Sequence, residues 1–205
     1  MIKFKKKSLS GSSKRWLQRH HNDNLVSKAK QKGFRSRAVF KLEEIDNKFK
    51  FLDKNQNVID LGSSPGSWSQ YLSKKKFKNI LAVDVIEMDT LEGVYFIKGD
   101  FLDDNIQKKI KLKFNSIDII LSDIAANTTG NKKLDSFKTN TICLDVINFA
   151  KNHLSSQGHL LCKFFNGELD KDIIKLSKDY FELSRIIKPK SSRKDSKEMY
   201  LYCKK

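Results

Sequence analysis

Short apolar segments that alternate with helical patterns are the feature that most restricts how this chain can fold. Buried strands are expected over residues 58–61, 80–83, 94–97, 117–121 and 159–165. Helices are expected over residues 36–49, 67–76, 103–112, 138–153 and 169–179, where apolar residues recur at helical spacing. Consecutive strands joined by helices pair in parallel, and the helices cover both faces of the sheet. The alternation therefore predicts an α/β fold with a mostly parallel sheet.

Two further strands are expected near the end of the chain, over residues 181–187 and 199–203. The basic loop between them is too short to hold a crossover helix. Strands with such a short connection pair antiparallel. We therefore expect an antiparallel strand at the edge of the sheet.

The chain length allows one α/β domain, since it has 205 residues. Hydrophobic residues make up 39% of the chain and include 14 phenylalanines, which is enough to form a buried core. Residues 1–33 are polar and basic and have almost no apolar periodicity. We predict that residues 1–33 form a flexible N-terminal arm and that residues 34–205 form the folded domain.

Cysteine usage and hydropathy both predict a cytoplasmic protein. Cys143, Cys162 and Cys203 are far apart in apolar surroundings, as is typical of buried thiols in a reducing compartment. No apolar run reaches the ~18 residues that cross a membrane, and the first ten residues carry four lysines. We expect no membrane anchor and no signal peptide.

The positive charge of the chain is concentrated near its N-terminus. The net charge is +17, and residues 1–50 contain 15 Lys and Arg against 4 Asp and Glu. Such a patch attracts a polyanion, and nucleic acid is the usual one because binding releases counterions. A compositional bias toward lysine is the alternative, but such a bias would spread along the chain. The distribution favours nucleic-acid binding.

A glycine-bearing loop follows the first predicted strand of the sheet. It runs from Asp60 to Trp68, and its Gly62 and Gly66 allow a sharp turn and a close approach to a ligand. Ser67 is expected to cap the following helix. In open α/β sheets, ligands lie beyond the carboxyl ends of the strands. We therefore expect this loop to contact a ligand.

Acidic residues end the next two predicted strands. Asp84 is placed to accept hydrogen bonds from ribose hydroxyls. Asp100 and Phe101 are placed to contact an adenine ring. The Gly-x-Gly-x-x-Gly fingerprint of a nicotinamide dinucleotide is absent, so the pattern favours S-adenosylmethionine, whose sulfonium and amino group are cationic. Ordinary strand-end caps are the alternative, but three acidic residues on successive strands favour a nucleoside site.

Five segments of the chain match the motifs of one known family. They are residues 60–70 (DLGSSPGSWSQ), 36–42 (SRAVFKL), 122–127 (SDIAAN), 163–165 (KFF) and 191–193 (SSR), the last followed by Glu198. In these segments the chain closely resembles the FtsJ-like ribose 2′-O-methyltransferases. The resemblance runs from about residue 15 to residue 205 and keeps the motifs in family order. In its short length, the chain is most similar to the members of the branch that methylates large-subunit ribosomal RNA.

The resemblance implies a Rossmann-like methyltransferase fold over residues 34–205, with S-adenosylmethionine as cofactor. It implies methylation of the ribose 2′-hydroxyl of a uridine in the A-loop of 23S-type RNA, within the large ribosomal subunit. We expect a monomer that needs no metal. The residues expected to bind the cofactor are Asp60, Gly62, Pro65, Gly66, Ser67, Trp68, Asp84, Asp100, Phe101 and Asp123.

The resemblance also implies a catalytic tetrad, formed by Lys41, Asp123, Lys163 and Glu198. A ribose hydroxyl becomes a good nucleophile when a base removes its proton, and a lysine amine does so once its pKa falls from ~10.4. Lys163 is the expected base, because burial and a second ammonium at Lys41 favour a neutral amine. Asp123 and Glu198 are expected to orient the lysines.

Two clusters of basic residues are expected to hold RNA by its phosphates. The N-terminal cluster contains Lys14, Arg15, Arg19, Lys32, Arg35 and Arg37, and the late cluster contains Lys190, Arg193 and Lys194. Both clusters adjoin tetrad positions in the sequence. A solvated surface is the alternative interpretation.

Two departures from the family pattern leave alternatives open. Ser67 replaces a common glycine and Ala126 replaces a common proline, which affects the expected cofactor affinity. These departures are the only support for a ribosome-assembly factor that binds RNA without turnover, and the intact tetrad argues against it. A tRNA anticodon-loop 2′-O-methyltransferase of the same fold is the other alternative.

Overall fold

The predicted alternation of strands and helices is confirmed in a computed structural model, which describes residues 23–193 and 195–205. The strands are β1 (Asn57–Leu61), β2 (Asn79–Asp84), β3 (Val94–Lys98), β4 (Ile117–Ser122), β5 (Leu154–Phe165), β6 (Leu183–Ile187) and β7 (Glu198–Lys204). The helices of the described residues are α1 (Asn24–Gln31), α2 (Val39–Phe49), α3 (Ser67–Lys74), α4 (Asp104–Lys113), α5 (Lys132–His153) and α6 (Asp170–Tyr180).

The strands form one seven-stranded sheet in the order β3-β2-β1-β4-β5-β7-β6. Strands β1 to β5 pair in parallel. The chain reverses direction across the sheet after β3, so β1 and β4 are neighbours, with Leu61 in register with Ser122. The loops that follow these two residues therefore lie side by side, which is where α/β sheets of this kind bind ligands.

The antiparallel pairing of the last two strands is confirmed, but the antiparallel strand lies one place in from the edge. β7 pairs antiparallel with β5 on one side and with β6 on the other. Residues 200–203 of β7 are buried, whereas Arg185 and Ile186 of β6 are exposed. The more polar strand takes the edge, where one side of its backbone faces solvent.

Two hydrophobic clusters cover the two faces of the sheet. Helices α1, α2 and α3 pack on one face, and α4, α5 and α6 pack on the other. The side chains that are almost fully buried include Leu42, Ile45 and Leu72 on the first face and Ile110, Ile147 and Ile173 on the second. The three cysteines are buried free thiols, as predicted. No helix of the described residues is long and apolar enough to span a membrane.

Two elements begin earlier than the sequence pattern predicted. α5 begins at Lys132 rather than near residue 138, because Asn131 caps it by accepting hydrogen bonds from the amides of Lys133 and Leu134. β5 begins at Leu154 rather than at residue 159. The residues added to α5 are mostly exposed, and those added to β5 contribute a single buried hydrophobic side chain, that of Leu154, so neither group extends the apolar period.

Helix α1 lies inside the segment that was expected to be a flexible arm. Its Val26 and Ala29 are buried, and Ala29 belongs to the cluster formed by α2 and α3. Residues 24–31 therefore differ from the expectation: their short apolar face, formed by Leu25, Val26 and Ala29, lies among polar and basic residues in the sequence. Residues 1–22 lie outside the described part, and the division of the chain near residue 33 stays a prediction.

Asp23 ties α1 to two other parts of the fold. One carboxylate oxygen accepts a hydrogen bond from the Leu25 amide at 3.0 Å and so caps the helix. The other forms ion pairs with Arg37, next to α2, and with Arg193, in the β6–β7 loop, the latter at 3.2 Å. Burial alone would raise the pKa of Asp23, but Arg37, the Leu25 amide and Arg193 together lower it.

Replacing Asp23 separates its capping role from its ion pairs. Asparagine caps helices as well as aspartate does, whereas alanine does not. We expect Asp23→Ala to be less stable than Asp23→Asn by about 1 kcal/mol in free energy of unfolding, and both to be less stable than the wild type. Urea unfolding followed by circular dichroism measures the difference. Equal stabilities of the two variants would contradict the capping role.

Candidate active site

A cavity opens at the carboxyl ends of β1 to β4. It has a volume of about 540 Å³, which lies in the range of small-molecule sites. Its walls bring together the predicted residues Gly62, Asp84, Asp100, Phe101 and Asp123. We call this space the cofactor cavity.

Two carboxylates of the cofactor cavity are fixed by backbone amides. The two oxygens of Asp84 accept hydrogen bonds from the amides of Ser64 and Ile86, each at 2.8 Å. Asp100 accepts one from the Leu102 amide at 3.0 Å. A carboxylate has about four acceptor positions, so both side chains retain capacity to bind hydroxyl or amino groups of a nucleoside.

Apolar side chains also line the cofactor cavity, and sequence reasoning missed three that are exposed. They are Val85, Ile86 and Leu102, with exposed fractions of 61%, 63% and 48%. Apolar surface beside fixed carboxylates suits an adenine ring beside a ribose, so the residues present fit the nucleoside half of S-adenosylmethionine. The signal in the sequence was a pair of apolar residues directly after each of Asp84 and Asp100.

The two loop glycines adopt backbone conformations that favour glycine. Gly62 has φ +68°, and a Cβ there would lie 2.0 Å from Cγ1 of Ile124. Gly66 has φ +101° and is the N-cap residue of α3. The expectation that Ser67 caps this helix is therefore wrong. Ser67 is the first helical residue, and its hydroxyl donates to the hydroxyl of Ser36 at 2.7 Å.

Asp60 stabilises the start of α3 in place of Ser67. Its carboxylate accepts hydrogen bonds from both the amide and the hydroxyl of Ser69, at 3.0 and 2.7 Å. A carboxylate at this position interacts favourably with the helix dipole. Burial raises the pKa of Asp60 to about 7; the Ser69 hydrogen bonds oppose the rise, and the carboxylates of Asp123 and Asp84 add to it.

A smaller cavity of about 120 Å³ lies next to the cofactor cavity. Asp60 lines it, together with the predicted residues Pro65, Ser67 and Trp68. The indole nitrogen of Trp68 donates to the main-chain oxygen of Ala38 at 2.9 Å, which fixes this wall. We call this space the inner cavity.

The four predicted tetrad residues meet in one buried cluster. Nζ of Lys41, on α2, lies 2.6 Å from Glu198 on β7 and 3.8 Å from Asp123 at the end of β4. Nζ of Lys163, on β5, lies 3.0 Å from the Asp123 carboxylate and also donates to its main-chain oxygen. Two lysines thus alternate with two carboxylates, and three of the four elements that carry them are strands of one sheet.

Tyr200 is the residue of this cluster that sequence reasoning missed. It is fully buried, lies opposite Lys163 in the β5–β7 register, and its hydroxyl donates to Asp123. Burial raises its pKa well above the usual value, and the carboxylates of Asp123 and Glu198 raise it further. The available signal was its position two residues after Glu198, because alternate residues of a strand share a face.

Charge compensation sets the state of Asp123. Burial by itself would raise its pKa, but the ammonium groups of Lys163 and Lys41 and the Tyr200 hydroxyl together lower it. Asp123 is therefore ionised at neutral pH and holds Lys163 in a fixed position. Glu198 is held in turn by the Ser192 hydroxyl at 2.8 Å.

A third cavity, of about 240 Å³, is bordered by two of the four tetrad residues. It is lined by Ser36, Arg37, Ala38, Lys41, Arg193, Ser196 and Glu198. We call this space the outer cavity. Its two arginines and the lysine make it suited to an anionic ligand. The described residues contain no group of three or more side chains that could hold a metal ion.

The residues expected to bind RNA have different surroundings. Lys14, Arg15, Arg19 and Lys194 lie outside the described residues. Lys32 and Lys190 are exposed. Arg35 donates to the main-chain oxygens of Pro65, Asp89 and Thr90 at 2.8 to 3.1 Å, and so braces the glycine-bearing loop. Arg37 and Arg193 contact Asp23, so these arginines have structural contacts that the sequence did not predict.

Comparison with known proteins gives consistent matches over most of the chain. The family described as FtsJ-like methyltransferase matches residues 34–205. A protein of Pelagibacter ubique named ribosomal RNA large subunit methyltransferase E is 42% identical, over 94% of this chain and 96% of that protein. A crystal structure of a ribosomal RNA methyltransferase from Plasmodium falciparum is 36% identical, with TM-score 0.75, over 83% of this chain and 97% of that one. Human methyltransferase-like protein 13, 13% identical with TM-score 0.58 over 78% of this chain and 79% of that one, shares the fold.

The raised pKa of Asp60 predicts a specific pH dependence of stability. In the unfolded chain this carboxyl has a pKa near 3.8, so between pH 4 and about 7 the unfolded state loses its proton first. Raising the pH through this window therefore destabilises the fold, by no more than about 4 kcal/mol. Asp60→Asn removes the titration while its side-chain oxygen still accepts from Ser69.

The expected result is that Asp60→Asn gains stability relative to the wild type when the pH rises from 5 to 8. Urea unfolding at both pH values measures the two free-energy differences. An unchanged difference would mean that Asp60 does not retain its proton in the folded protein.

Proposed function

Because the chain belongs to the FtsJ-like methyltransferase family, we propose that it methylates the ribose 2′-hydroxyl of a uridine in the A-loop of large-subunit ribosomal RNA. The relatives named ribosomal RNA large subunit methyltransferase E, at 42% identity, support large-subunit ribosomal RNA as the substrate class. Family membership makes the chain a methyltransferase, with S-adenosylmethionine as cofactor. The buried cluster of two lysines and two carboxylates is the observation that carries the assignment to the 2′-hydroxyl.

The cluster lies between the space for the cofactor and the space for an anionic substrate. Asp123 lines both the cofactor cavity and the inner cavity, while Lys41 and Glu198 line the outer cavity. A group that enters the outer cavity meets Lys41 and Glu198 at its wall, and Asp123 of the same cluster borders the cofactor cavity. This arrangement is what a methyl transfer needs, since the nucleophile must lie between its base and the methyl group.

When bound, S-adenosylmethionine supplies a methyl group on a positively charged sulfur. An oxygen nucleophile that attacks this methyl carbon displaces the sulfur. Lys163 is proposed as the base that accepts the proton of the ribose 2′-hydroxyl, and the 2′-oxygen would form its new bond to the methyl carbon as the bond between that carbon and sulfur breaks. Asp123 positions this amine through its carboxylate and its main-chain oxygen. Lys41, held by Glu198 at 2.6 Å, contributes positive charge beside the reacting hydroxyl.

Exposed lysines provide the direct phosphate contacts to RNA in this proposal, and the arginines of the outer cavity add positive charge. Lys32 and Lys190 are exposed, and Arg37 and Arg193 line the cavity itself. Residues 1–33 are proposed as a basic arm that adds phosphate contacts, followed by the methyltransferase domain over residues 34–205. We also propose that the protein acts in the cytoplasm as a monomer without a metal.

The experiment that tests the substrate uses methyl-labelled S-adenosylmethionine. The purified protein is incubated separately with unmethylated large ribosomal subunits, free ribosomal RNA and tRNA, and the labelled nucleoside is identified after digestion. We expect label in 2′-O-methyluridine from the large subunits. Label in a tRNA anticodon loop would move the target to tRNA, and bound cofactor without label in any substrate would favour an assembly factor.

Substitution of Lys163 tests the proposed base. Lys163→Ala is expected to keep binding S-adenosylmethionine and to lose at least about a hundredfold in the rate of methyl transfer. Lys163→Arg keeps a positive charge beside Asp123 but cannot lose a proton, so it should be equally inactive. Single-turnover rates and calorimetric binding measure both properties. Wild-type turnover in the arginine variant would exclude Lys163 as the base.

A further inference from the structure

Glu44 is a carboxylate outside the tetrad that holds the β6–β7 loop, the segment between Ile187 and Glu198. One of its oxygens accepts a hydrogen bond from the Lys190 amide at 2.7 Å. The other accepts from the amide and the hydroxyl of Ser191, at 3.0 and 2.9 Å. Hydrogen bonds to a carboxylate are stronger than those between neutral groups. Three of them to two adjacent residues fix this part of the loop against α2.

The next residue of the loop, Ser192, contacts the tetrad directly. Its exposed fraction is 7%, and its hydroxyl donates to one oxygen of Glu198 at 2.8 Å. The other oxygen of Glu198 accepts from Nζ of Lys41 at 2.6 Å. Each oxygen of Glu198 thus has its own donor, so the direction of this carboxylate depends on where the loop places Ser192.

These contacts close into a ring that begins and ends on α2. Lys41 and Glu44 are three residues apart on this helix, so their side chains lie on one face of it. The ring runs from Lys41 through Glu198 and Ser192, and then along the main chain of the loop to Glu44. Nζ of Lys188 adds a further tie at the base of the loop, because it donates to the main-chain oxygen of Glu198 at 2.8 Å. We call this set of contacts the support ring.

We propose that Glu44 is a positioning residue for methyl transfer. By holding the β6–β7 loop it places the Ser192 hydroxyl on Glu198, and Glu198 in turn holds the ammonium of Lys41 at the reacting hydroxyl. The inference rests on the proposed function, because it requires the tetrad to act on a ribose hydroxyl. Glu44 lines none of the three cavities described above, so it acts through the support ring. A purely structural tie between α2 and the loop is the competing explanation.

The chain offers matched variants for this test. Glu43 precedes Glu44 on α2 and is likewise partly exposed, but among the described residues it forms no hydrogen bond with the β6–β7 loop. Glu44→Gln leaves one acceptor oxygen where two are used, and Glu43→Gln makes the same chemical change away from the loop. At Ser192, alanine removes the hydroxyl and threonine keeps it.

Methylation of large ribosomal subunits by the full chain measures the effect on turnover. We expect Glu44→Gln and Ser192→Ala each to lower kcat about tenfold, as for the loss of a hydrogen bond to a charged group. KM for the subunits and the affinity for S-adenosylhomocysteine should stay within about twofold of the wild type, because neither residue binds the substrate or the cofactor. Ser192→Thr should recover most of the rate lost in Ser192→Ala, and Glu43→Gln should match the wild type.

A double substitution separates positioning from a general loss of structure. In a Glu198→Gln background, Glu44→Gln should lower kcat by less than about twofold, because its effect passes through Glu198. A further tenfold loss in that background would overturn the proposal, and so would a raised KM with unchanged kcat in Glu44→Gln alone, which would assign Glu44 to RNA binding.

Thermal unfolding of each variant keeps the test decisive. If Glu44→Gln unfolds at the assay temperature, Ser192→Ala and its threonine counterpart carry the test, and a wild-type kcat in Ser192→Ala overturns the proposal. Equal losses in the alanine and threonine variants would also overturn it, because the hydroxyl would then not be the group that acts. If the wild type transfers no methyl group to a ribose, the proposed function itself fails, and that result is independent of the variants.

Discussion

Burying four charged side chains in one cluster is the constraint on which the rest of the site depends. A single buried ammonium or carboxylate would neutralise itself or destabilise the fold, so each of the four requires its partners. Lys41 has Glu198 at 2.6 Å, and Lys163 has Asp123 at 3.0 Å. The four residues come from one helix and from three strands or their ends. Their charges therefore compensate each other only when the helix position and the strand register are both fixed. The cluster and the sheet therefore stabilise each other.

The strand order determines what surrounds this cluster. Because β1 lies between β2 and β4, the loops after β1 and β4 converge, and Asp123 comes to line both the cofactor cavity and the inner cavity. The insertion of β7 between β5 and β6 sets Tyr200 opposite Lys163 and brings Glu198 to Lys41. An antiparallel strand in this position runs into the site from the opposite direction, which lets residues near its start meet residues near the end of β5.

Sequence patterns predicted the elements whose residues obey a clear period, and the resemblance predicted the tetrad. The patterns missed contacts that depend on three-dimensional direction. Asp60 was expected at the ligand, but its carboxylate is also the group that caps α3, while Ser67 at the expected capping position is already inside the helix. Tyr200 resembled an ordinary apolar strand residue. The alternation of residues along a strand does not show whether a buried tyrosine hydroxyl has a hydrogen-bond partner. Helix α1 was missed because its short apolar face lies within a segment that is otherwise polar and basic.

A count of basic residues in the sequence treats every cation as free to contact RNA. The structure shows that a basic side chain can keep its positive charge while its N–H groups are already used in hydrogen bonds within the protein. Arg35 donates to three main-chain oxygens, which use its N–H groups but leave its positive charge in place. Arg37 and Arg193 share the carboxylate of Asp23, which offsets part of their charge. Long-range attraction of RNA depends on net charge and so persists, whereas direct phosphate contacts need free donors. Exposed lysines such as Lys32 and Lys190 retain those donors. The arginines near the site therefore shape the loops, and the surrounding lysines remain available to the polyanion.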